Sequence, residues 1–398
     1  MTDTVKNIVV TFTFLIVIFG LFLINILKEP NDISISERRK LAQFPSITLE
    51  RIGNTKFMDE FSTYVLDQFV WRDEFRSIKA RFLFDVLRQK DNNGIYIAEG
   101  HASKTIPNFK EGEVTATVKN INRLYKNYLS DMNVYYSIIP DKNYFLAEKN
   151  GYPHMDYEKF VQTVKDNINT NIKYIDIFDS LDINDYYTTD IHWRQECLGE
   201  VTKKILNEMK TTNNSLTNQV ENENINNYLS EPINFEDNYT FSELYPFYGT
   251  YYGQSALPLD AETLYYLTNS NLNNVTVKIL NEKALAENKI SFAEQQMYNL
   301  EAFEGIDPYD VYLSGAKAII TLENPNSKTD KELILFRDSF GSSLAPLLTS
   351  EYSKITLVDL RYIASPLVKN IVEFKEGQDV LILYSTEVLN NGSILKIL

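Results

Sequence analysis

The amino-acid sequence predicts a three-layer α/β protein with a doubly wound, mostly parallel sheet, an inserted tyrosine-rich subdomain and an N-terminal transmembrane helix. Three observations lead to this prediction. Short apolar runs rich in β-branched residues alternate with segments of helical periodicity over most of the chain. A region dense in tyrosine and glycine interrupts that alternation, and a long apolar stretch precedes all of it.

The N-terminal region predicts a membrane anchor. Residues 8–27 are apolar apart from two threonines and Asn25, and their number is about the 20 residues that span a bilayer. A cleaved signal peptide is the alternative, but the run is long for one and Lys28, Glu29 and Pro30 follow in place of a small-residue cleavage site. Residues 1–7 would then form a cytoplasmic tail and residues 28–55 a stalk. Basic residues flank the span on both sides, and charge counting alone would keep the bulk of the chain inside the cell.

Strand and helix patterns define two parts of one α/β domain, residues 56–210 and residues 316–398. In the first part, helical spacing covers 56–90, 114–130, 157–169 and 194–210, and strand-like runs cover 94–100, 133–139 and 172–178. In the second part, strands are expected at 318–322, 332–336, 354–360 and 379–385, and helices at 342–349 and 365–374. Ser365 as N-cap, with Pro366 at the first helical position, marks the start of the last helix.

Residues 211–315 are interpreted as an insertion into this domain. Residues 211–240 are rich in Asn and Glu, which favours a loop or a partly disordered segment, and the tyrosine-rich stretch YPFYGTYYGQSALP follows. Tyr248, Tyr251 and Tyr252 are candidates for a platform on which sugar rings stack. The alternative is that these tyrosines pack the insertion's own small core.

Composition excludes several classes of function. The net charge of −15 and the pI of about 4.8 argue against nucleic acid and an anionic membrane surface as partners. One cysteine cannot form an intramolecular disulfide, and Cys197 is expected to be a small core residue in a helix. Three scattered histidines provide no spacing typical of a metal site, so neither a metal nor another cofactor is expected.

The segment YYTTDIHWRQECLGE suggests half of a catalytic triad. Asp190 and His192 are two residues apart, so on an extended segment their side chains would point to the same face. A carboxylate in that position can hold the imidazole in one tautomer and stabilise its protonated form.

A candidate nucleophile lies in ELILFRDSFGSSLAPLL, where an apolar strand, a short turn and a helix follow one another. Ser339 in that turn would present its hydroxyl at the carboxyl edge of the sheet, beside backbone N–H groups of the next helix. Gly341 would allow close approach of the backbone there and is a further candidate for contact with the oxyanion or the substrate. Asp338 is expected to cap the helix or brace the turn, so Asp190 is the better orienting acid. Because both segments follow parallel strands, His192 is expected to reach Ser339.

At these residues the sequence resembles a known group of proteins. DIHW, followed about 150 residues later by RDSFG, is similar to the DHHW-type and alginate O-acetyltransferase-like branch of the SGNH-hydrolase superfamily. Further similar segments are FVWRDEFRSIKARF, NGIYIAEG, SIIPDKNYF, FYGTYYGQSA and ITLVDLRYI, so that the resemblance covers most of residues 56–390. Ile191 stands where the motif has a histidine, at a position expected to point away from the triad. No counterpart of the superfamily's oxyanion-hole asparagine is identified.

The resemblance implies an SGNH-hydrolase or flavodoxin-like fold and an extracytoplasmic O-acetyltransferase that acts on a cell-surface polysaccharide. Ser339 would be the nucleophile, His192 the general base and Asp190 the orienting acid. The acetyl donor would be supplied by a multi-spanning membrane acyltransferase. Arg361 could contact donor or sugar or form a structural salt bridge, and Lys142 is a candidate for the same contact or a solvated lysine. Composition favours a cell-wall glycan over alginate.

Three alternatives remain open at the level of sequence. A polysaccharide O-acetyl esterase would use the same triad and pass the acyl group to water. A catalytically silent carbohydrate-binding assembly protein would use the tyrosine-rich insertion as its working surface. The enzyme could also face the cytoplasm.

Overall fold

The computed structural model describes residues 2–34, 36–216, 239–257 and 259–398. The chain divides into two compact units. The N-terminal unit consists of Met1–Asn93 and Tyr252–Leu259, and the C-terminal unit of Gly94–Tyr251 and Asp260–Leu398. The predicted start of the α/β domain at residue 56 is therefore corrected to residue 94.

The N-terminal unit is built around short helices that follow one long apolar helix. Helix α1, Asp3–Leu27, has a mean hydropathy of 2.7 and exposes nearly all of its side chains. By length and composition it qualifies as a membrane span or as a signal sequence. Helix α1 also includes residues 3–7, which were predicted to be part of the cytoplasmic tail. The unit continues with β1 (Ile33–Ser34), β2 (Arg39–Lys40), α2 (Leu49–Gly53), α3 (Lys56–Asp67), α4 (Arg72–Arg81) and a π-helical turn (Phe82–Val86).

The predicted stalk is folded onto helix α3. The buried carboxylate of Asp67 accepts hydrogen bonds from Arg39 Nη1 at 2.8 Å and from the Ala42 N–H at 2.9 Å. The hydrogen bond from Arg39 lowers the pKa of Asp67 to about 2, so the carboxylate stays ionised at neutral pH. Arg39 and Ala42 of the predicted stalk are thus held against helix α3.

The C-terminal unit contains an eight-stranded sheet in the order β10-β9-β11-β13-β12-β14-β5-β6. The pairings from β13 through β12, β14 and β5 to β6 are parallel, whereas β10, β9, β11 and β13 pair antiparallel. The strands of this sheet are β5 (Asn133–Ile139), β6 (Lys173–Tyr174), β9 (Thr276–Leu280), β10 (Phe292–Gln295), β11 (Ile319–Glu323), β12 (Glu332–Arg337), β13 (Lys354–Val358) and β14 (Asp379–Ser385).

Alternate side chains of the central strands enter two separate cores, one on each face of the sheet. Leu333 and Leu335 of β12 pack into one core, and Ile334 and Phe336 into the other. Helices α8 (Gly199–Leu216) and α11 (Gly341–Leu348) cover the first face. The second face is covered by α5 (Glu111–Leu124), α7 (Tyr157–Asn167), α12 (Ser365–Ile371) and α13 (Thr386–Asn390). The three-layer α/β fold is confirmed.

The remaining elements are short. They are β3 (Ile95–Ala98), β4 (His101–Lys104), a π-helical turn (Tyr125–Leu129), α6 (Lys142–Leu146), β7 (Thr240–Phe247), α9 (Thr250–Ser255), β8 (Glu262–Thr268) and α10 (Glu282–Ala286).

The C-terminal part of the predicted insertion at 211–315 does not belong to a separate subdomain, because its strands β9 and β10 extend the main sheet. The separate part is a hairpin of β7 and β8, which shares a small, mostly aromatic core with residues from other parts of the chain. That core consists of Tyr187, Phe247, Leu264, Tyr309, Val311 and Tyr312. Of the predicted loop at 211–240, residues 217–238 lie outside the described residues.

Candidate active site

The turn that carries Ser339 is fixed by the carboxylate beside it. Strand β12 ends at Arg337 and helix α11 begins at Gly341. Asp338 Oδ1 accepts a hydrogen bond from the Phe340 N–H at 3.1 Å, and its Oδ2 accepts one from the Ser385 N–H at 2.8 Å. The turn is thus tied to the end of the neighbouring parallel strand β14, so that Ser339 lies at the carboxyl edge of the sheet, as open α/β sheets favour.

The structure brings Ser339, His192 and Asp190 together. His192 Nε2 lies 2.7 Å from Ser339 Oγ, and His192 Nδ1 lies 2.6 Å from Asp190 Oδ1. Because a carboxylate only accepts hydrogen bonds, the ring proton is assigned to Nδ1, and Nε2 then accepts the hydroxyl proton of Ser339. Asp190 and His192 are buried, whereas Ser339 is half-buried. The serine is therefore the member of this chain of hydrogen bonds that solvent or a substrate reaches.

The segment that carries Asp190 and His192 is a tight loop and not the predicted extended strand. Tyr186 and Trp193 form an antiparallel bridge, and the Tyr187 N–H donates to the His192 carbonyl at 3.1 Å. At the tip of this loop, Asp190 Oδ1 accepts from both the backbone N–H and the ring Nδ1 of His192. Two hydrogen bonds to one oxygen hold the imidazole against its own backbone, which restricts both its position and its tautomer.

The other oxygen of Asp190 is held by the tyrosine-rich segment. The Thr250 N–H donates to Asp190 Oδ2 at 2.6 Å, and the Gly249 N–H donates to Thr189 Oγ1 at 2.8 Å. A side chain at position 249 would come within 2.3 Å of the Asp190 Cα. Only glycine allows this approach of the two backbones. Sequence reasoning missed this role of Gly249, and its only signal is the glycine in FYGTYYGQSA.

The carboxylate of Glu262 and the ammonium group of Lys142 both form hydrogen bonds with the backbone of this loop. Glu262 accepts hydrogen bonds from the N–H groups of Thr188 and Thr189, both at 2.7 Å. The fully buried Lys142 Nζ donates to the carbonyls of Tyr187, Thr188 and Asp190 at 2.6, 3.1 and 3.0 Å. Burial lowers the pKa of Lys142 to about 7. The prediction of Lys142 as a substrate contact or a solvated lysine is wrong, because its ammonium group is buried and donates its hydrogen bonds to the carbonyl groups of the loop.

Aromatic rings surround the imidazole. Tyr309 stacks on His192, with ring centroids 3.8 Å apart and planes 5° apart, and Phe340 packs at 4.8 Å. Burial raises the pKa of the Tyr309 hydroxyl well above its usual value, so it remains a donor and bonds Ser343 Oγ at 2.8 Å. Trp193 Nε1 donates to the same Ser343 hydroxyl at 2.9 Å. Neither Tyr309 nor Ser343 carries a sequence motif that would have identified it.

The remaining candidates lie around the Ser339 turn. Gly341 packs against Arg337, whose Cβ would lie 2.7 Å from an added side chain, so glycine is required for the close approach. Its N–H donates to the Asp338 carbonyl at 3.1 Å and is not free for a substrate. Arg361 forms a two-point ion pair with Asp359, at 2.9 and 2.7 Å. Of the two roles predicted for Arg361, the structure therefore shows the structural salt bridge.

The three tyrosine candidates do not form one platform. Tyr251 is 4% exposed, and its ring lies beneath Lys142 Nζ at 5.6 Å from the ring centre, so it is part of the packed support of the loop. Tyr248 is exposed, and Tyr252 is half-buried and belongs to the N-terminal unit. The prediction is wrong for Tyr251, because a buried ring cannot stack on a sugar.

Two further expectations concern cysteine and metals. Cys197 is half-buried in a 3₁₀ turn, Gln195–Cys197, which corrects its prediction as a helical core residue. Within the described ranges, no group of three or more His, Cys, Asp or Glu side chains is arranged to hold a metal ion.

The fold is shared with solved structures. A DHHW family protein from Eubacterium siraeum has a TM-score of 0.56 and 18% identity, over 76% of this chain and 95% of that chain. Bacillus cereus PatB1, solved with a sulfonyl adduct, also has a TM-score of 0.56 and 18% identity, over 74% of this chain and 95% of that chain. No family model and no curated protein sequence matches the chain. The structural matches confirm the fold that the DIHW and RDSFG motifs predict.

Proposed function

We propose that the chain is a membrane-anchored, extracytoplasmic O-acetyltransferase that moves an acetyl group through an acyl-serine onto hydroxyls of a cell-surface polysaccharide. The observation that carries this proposal is the chain of hydrogen bonds from Asp190 through His192 to Ser339. A serine that donates to an imidazole held by a buried carboxylate is the arrangement of acyl-transfer catalysts.

In the first half-reaction, Ser339 Oγ attacks the carbonyl carbon of the acetyl donor while His192 Nε2 takes the hydroxyl proton. The bond to the donor's leaving group breaks, and His192 returns the proton to that group. Asp190 does not itself take a proton but stabilises the imidazolium and keeps Nδ1 protonated. The stacked ring of Tyr309 keeps the imidazole plane fixed throughout, so no reorientation is needed between the two proton transfers.

In the second half-reaction, His192 Nε2 takes a proton from a sugar hydroxyl, whose oxygen attacks the acetyl carbon on Ser339. The bond to Ser339 Oγ breaks, and Oγ takes the proton back. The acceptor oxygen must enter at Ser339, because His192 and Asp190 are buried.

The negative charge that develops on the acetyl oxygen requires a hydrogen-bond donor. The Ser339 N–H is the donor we assign, because Ser339 stands two residues before the start of the eight-residue helix α11, at its N-terminal end. The Phe340 and Gly341 N–H groups already donate to Asp338.

The remaining parts of the proposal concern the surroundings of the enzyme. Helix α1 would anchor the chain, with residues 94–398 outside the cell, where the polysaccharide acceptor is. A multi-spanning acyltransferase would supply the acetyl groups. Tethering benefits a transferase fed by such a partner, because both are then confined to one membrane. We expect a cell-wall glycan as the acceptor.

The first experiment tests for the acyl-serine. The full chain in detergent is incubated with p-nitrophenyl acetate, and intact mass is recorded for wild type, Ser339→Ala and the matched control Ser350→Ala, an exposed serine near the end of α11. We expect the mass of one added acetyl group on wild type and on the control, and none on Ser339→Ala. A parallel labelling with a sulfonyl fluoride, suggested by the adduct of PatB1, should follow the same pattern.

The second experiment separates transfer from hydrolysis. Discharge of the acetylated enzyme is followed with and without a neutral glycan. Acceleration by glycan, with acetylated glycan as product, supports the transferase. Release at the same rate in both cases identifies an esterase. Absence of any adduct on folded wild type contradicts both and leaves a binding protein.

A further inference from the structure

An exposed apolar face runs along helix α4 and the π-helical turn that follows it. Its residues recur at helical spacing and are all exposed: Trp71, Phe75, Ile78, Phe82 and Val86. The first of them, Trp71, is 53% exposed. Soluble proteins rarely expose a continuous apolar face of this length without a use for it.

The opposite side of α4 is packed inside the N-terminal unit. Ala80 is fully buried there, and Arg72 and Arg76 form ion pairs with Glu37 at 2.5 and 3.3 Å. On that side Asp73 also accepts a hydrogen bond from Ser36 at 2.7 Å. The apolar face is therefore turned away from the rest of its unit.

The start of this face is tied to the end of the apolar helix α1. The Val70 N–H donates to Asn25 Oδ1 at 2.8 Å, and Lys28 Nζ donates to the Gln68 carbonyl at 3.4 Å. Asn25 lies two residues before the end of α1, and Val70 lies one residue before Trp71. With a rise of about 1.5 Å per residue, Trp71 is held within a few ångströms of the level at which the apolar helix ends.

We infer that the face of Trp71, Phe75, Ile78, Phe82 and Val86 lies in the interfacial layer of the lipid bilayer that α1 spans. The inference rests on the membrane anchoring proposed above. An amphipathic helix in this layer places its apolar side at the boundary between headgroups and acyl chains, and tryptophan is the side chain most typical of that depth.

The local charge favours lipid as the occupant. Residues 71–90 contain six basic and three acidic residues, although the whole chain carries a net charge of −15. Of the basic residues, Arg72 and Arg76 pair with Glu37 on the packed side of α4, whereas Lys79 and Arg81 flank the apolar face by helical spacing. Basic side chains beside an apolar helix face can reach the headgroup phosphates that every phospholipid bilayer presents.

The two tryptophans of the chain make the inference measurable without a label, because Trp193 is fully buried and Trp71 is exposed. The full chain is reconstituted into phosphatidylcholine bilayers with bromine, a quencher, at a shallow or a deep position on the acyl chains. We expect wild type to lose tryptophan emission, and more with shallow than with deep bromine, since such helices sit about 5–10 Å into the boundary layer. Trp71→Phe should show no loss.

Three variants in the Trp71→Phe background complete the test. Phe82→Trp, farther along the face, should be quenched like Trp71, and Asp73→Trp, on the opposite side of α4, should not. Phe14→Trp, in the middle of α1, should be quenched best by deep bromine and reports whether α1 spans the bilayer.

The outcomes separate the inference from the anchoring on which it rests. Quenching of Phe14→Trp without quenching of Trp71 and Phe82→Trp overturns the inference and leaves the anchor in place. Equal quenching of Asp73→Trp and Phe82→Trp also overturns it, because the contact is then not specific to the face. Absence of quenching at all four positions contradicts both the anchor and the inference.

Discussion

Asp190 has two tasks that use different oxygens. Its Oδ1 holds His192, and its Oδ2 receives the Thr250 N–H and so connects the loop to the tyrosine-rich segment. A mutation at this position therefore has a chemical and a structural consequence, and the two are separable by measurement.

We expect Asp190→Asn to lower kcat on p-nitrophenyl acetate by about 10⁴-fold, because an amide can donate to Nδ1 and stabilise the wrong tautomer. KM should change little, whereas the melting temperature should fall modestly, because the amide nitrogen faces a backbone N–H of His192 or Thr250 whose hydrogen bond it cannot accept. Asp156→Asn, an exposed helix cap, is the control. A loss of kcat no larger than the control's would contradict the role of Asp190 as the orienting acid.

Lys142 couples the support of the loop to pH. Its pKa of about 7 in the folded chain lies below the ordinary value of 10.5, because burial penalises the cation more than the facing Glu262 and Asp190 stabilise it. Between these two values the unfolded chain binds a proton at Lys142 that the folded chain releases. The unfolding free energy therefore rises with pH from about 7 to about 10 because of this residue.

We expect the unfolding free energy of wild type to rise with pH relative to that of Lys142→Met, by up to about 1.4 kcal/mol per pH unit in this window. The measurement is urea unfolding of both proteins at pH 7, 8 and 9. Lys149→Met, an exposed lysine, should follow wild type. Curves for wild type and Lys142→Met that stay parallel would show that Lys142 remains protonated in the folded chain.

The candidate triad could be predicted from short motifs, because each of its members lies in a segment whose chemistry is local. The residues that hold the Asp190 loop in place could not be predicted in this way. Lys142, Glu262, Gly249 and Tyr309 reach the loop from distant parts of the chain, and their residue types occur in many other roles. The three-dimensional fold alone shows that they act on one segment.

Among the secondary structure elements, the tyrosine-rich segment differs most from its prediction. Its backbone clamps the Asp190 loop through Gly249 and Thr250, and Tyr251 closes the packing beneath it. The sequence left two interpretations of its tyrosines open, a sugar-binding surface and the packing of a small core, because aromatic side chains are suited to both.

We expect Gly249→Ala to reduce acylation of Ser339 strongly, because a methyl group 2.3 Å from the Asp190 backbone must displace the loop. The stability loss should be about 1–3 kcal/mol, as for other overpacked sites. Gly112→Ala is the matched control, since Gly112 has open space around it in helix α5. Unchanged acylation in a folded Gly249→Ala protein would contradict the clamp.

The central strands lie where their apolar runs predict them. The elements at the sheet edge and near the Asp190 loop differ from their predicted bounds. The run at 172–178 forms only the two-residue strand β6, because Asp176 accepts a hydrogen bond from the Phe178 N–H and turns the chain. The helix expected from residue 194 begins at Gly199, because the side chain of Gln195 is held by Ser343 and by the Leu267 N–H. Such side-chain hydrogen bonds override local propensity and are not visible in the sequence.

The division of the chain into two units gives each a separate task in the proposed function. The N-terminal unit contains α1 and the helices tied to it, and the C-terminal unit contains the Ser339 site. The boundary at residue 94 was missed because helical periodicity at 56–90 is the same whether a helix covers a sheet or packs near a membrane. Such periodicity identifies a helix but not its partner.

The orientation of the chain in the membrane is the prediction on which the cell-surface acceptor depends. Lys6 precedes the apolar span at 8–27, whereas Lys28, Arg39 and Lys40 follow it, so the distribution of basic residues favours a cytoplasmic site. The proposed acceptor requires the opposite orientation. A measurement of topology therefore tests the function and not only the location.

We expect Lys149→Cys, made in a Cys197→Ser background, to react with a membrane-impermeant maleimide in intact cells, because Lys149 is exposed in the C-terminal unit. Lys6→Cys, before the span, should react only after the cells are broken. The two variants differ in which side of the apolar span at 8–27 carries the thiol, so permeability and expression affect both alike. The reverse pattern would place Ser339 in the cytoplasm, where surface glycans are out of reach. Labelling of Lys149→Cys in intact cells, together with loss of the Lys6→Cys thiol from the mature chain, would indicate that the span is cleaved, and the anchored enzyme would then have to be abandoned in favour of a secreted one.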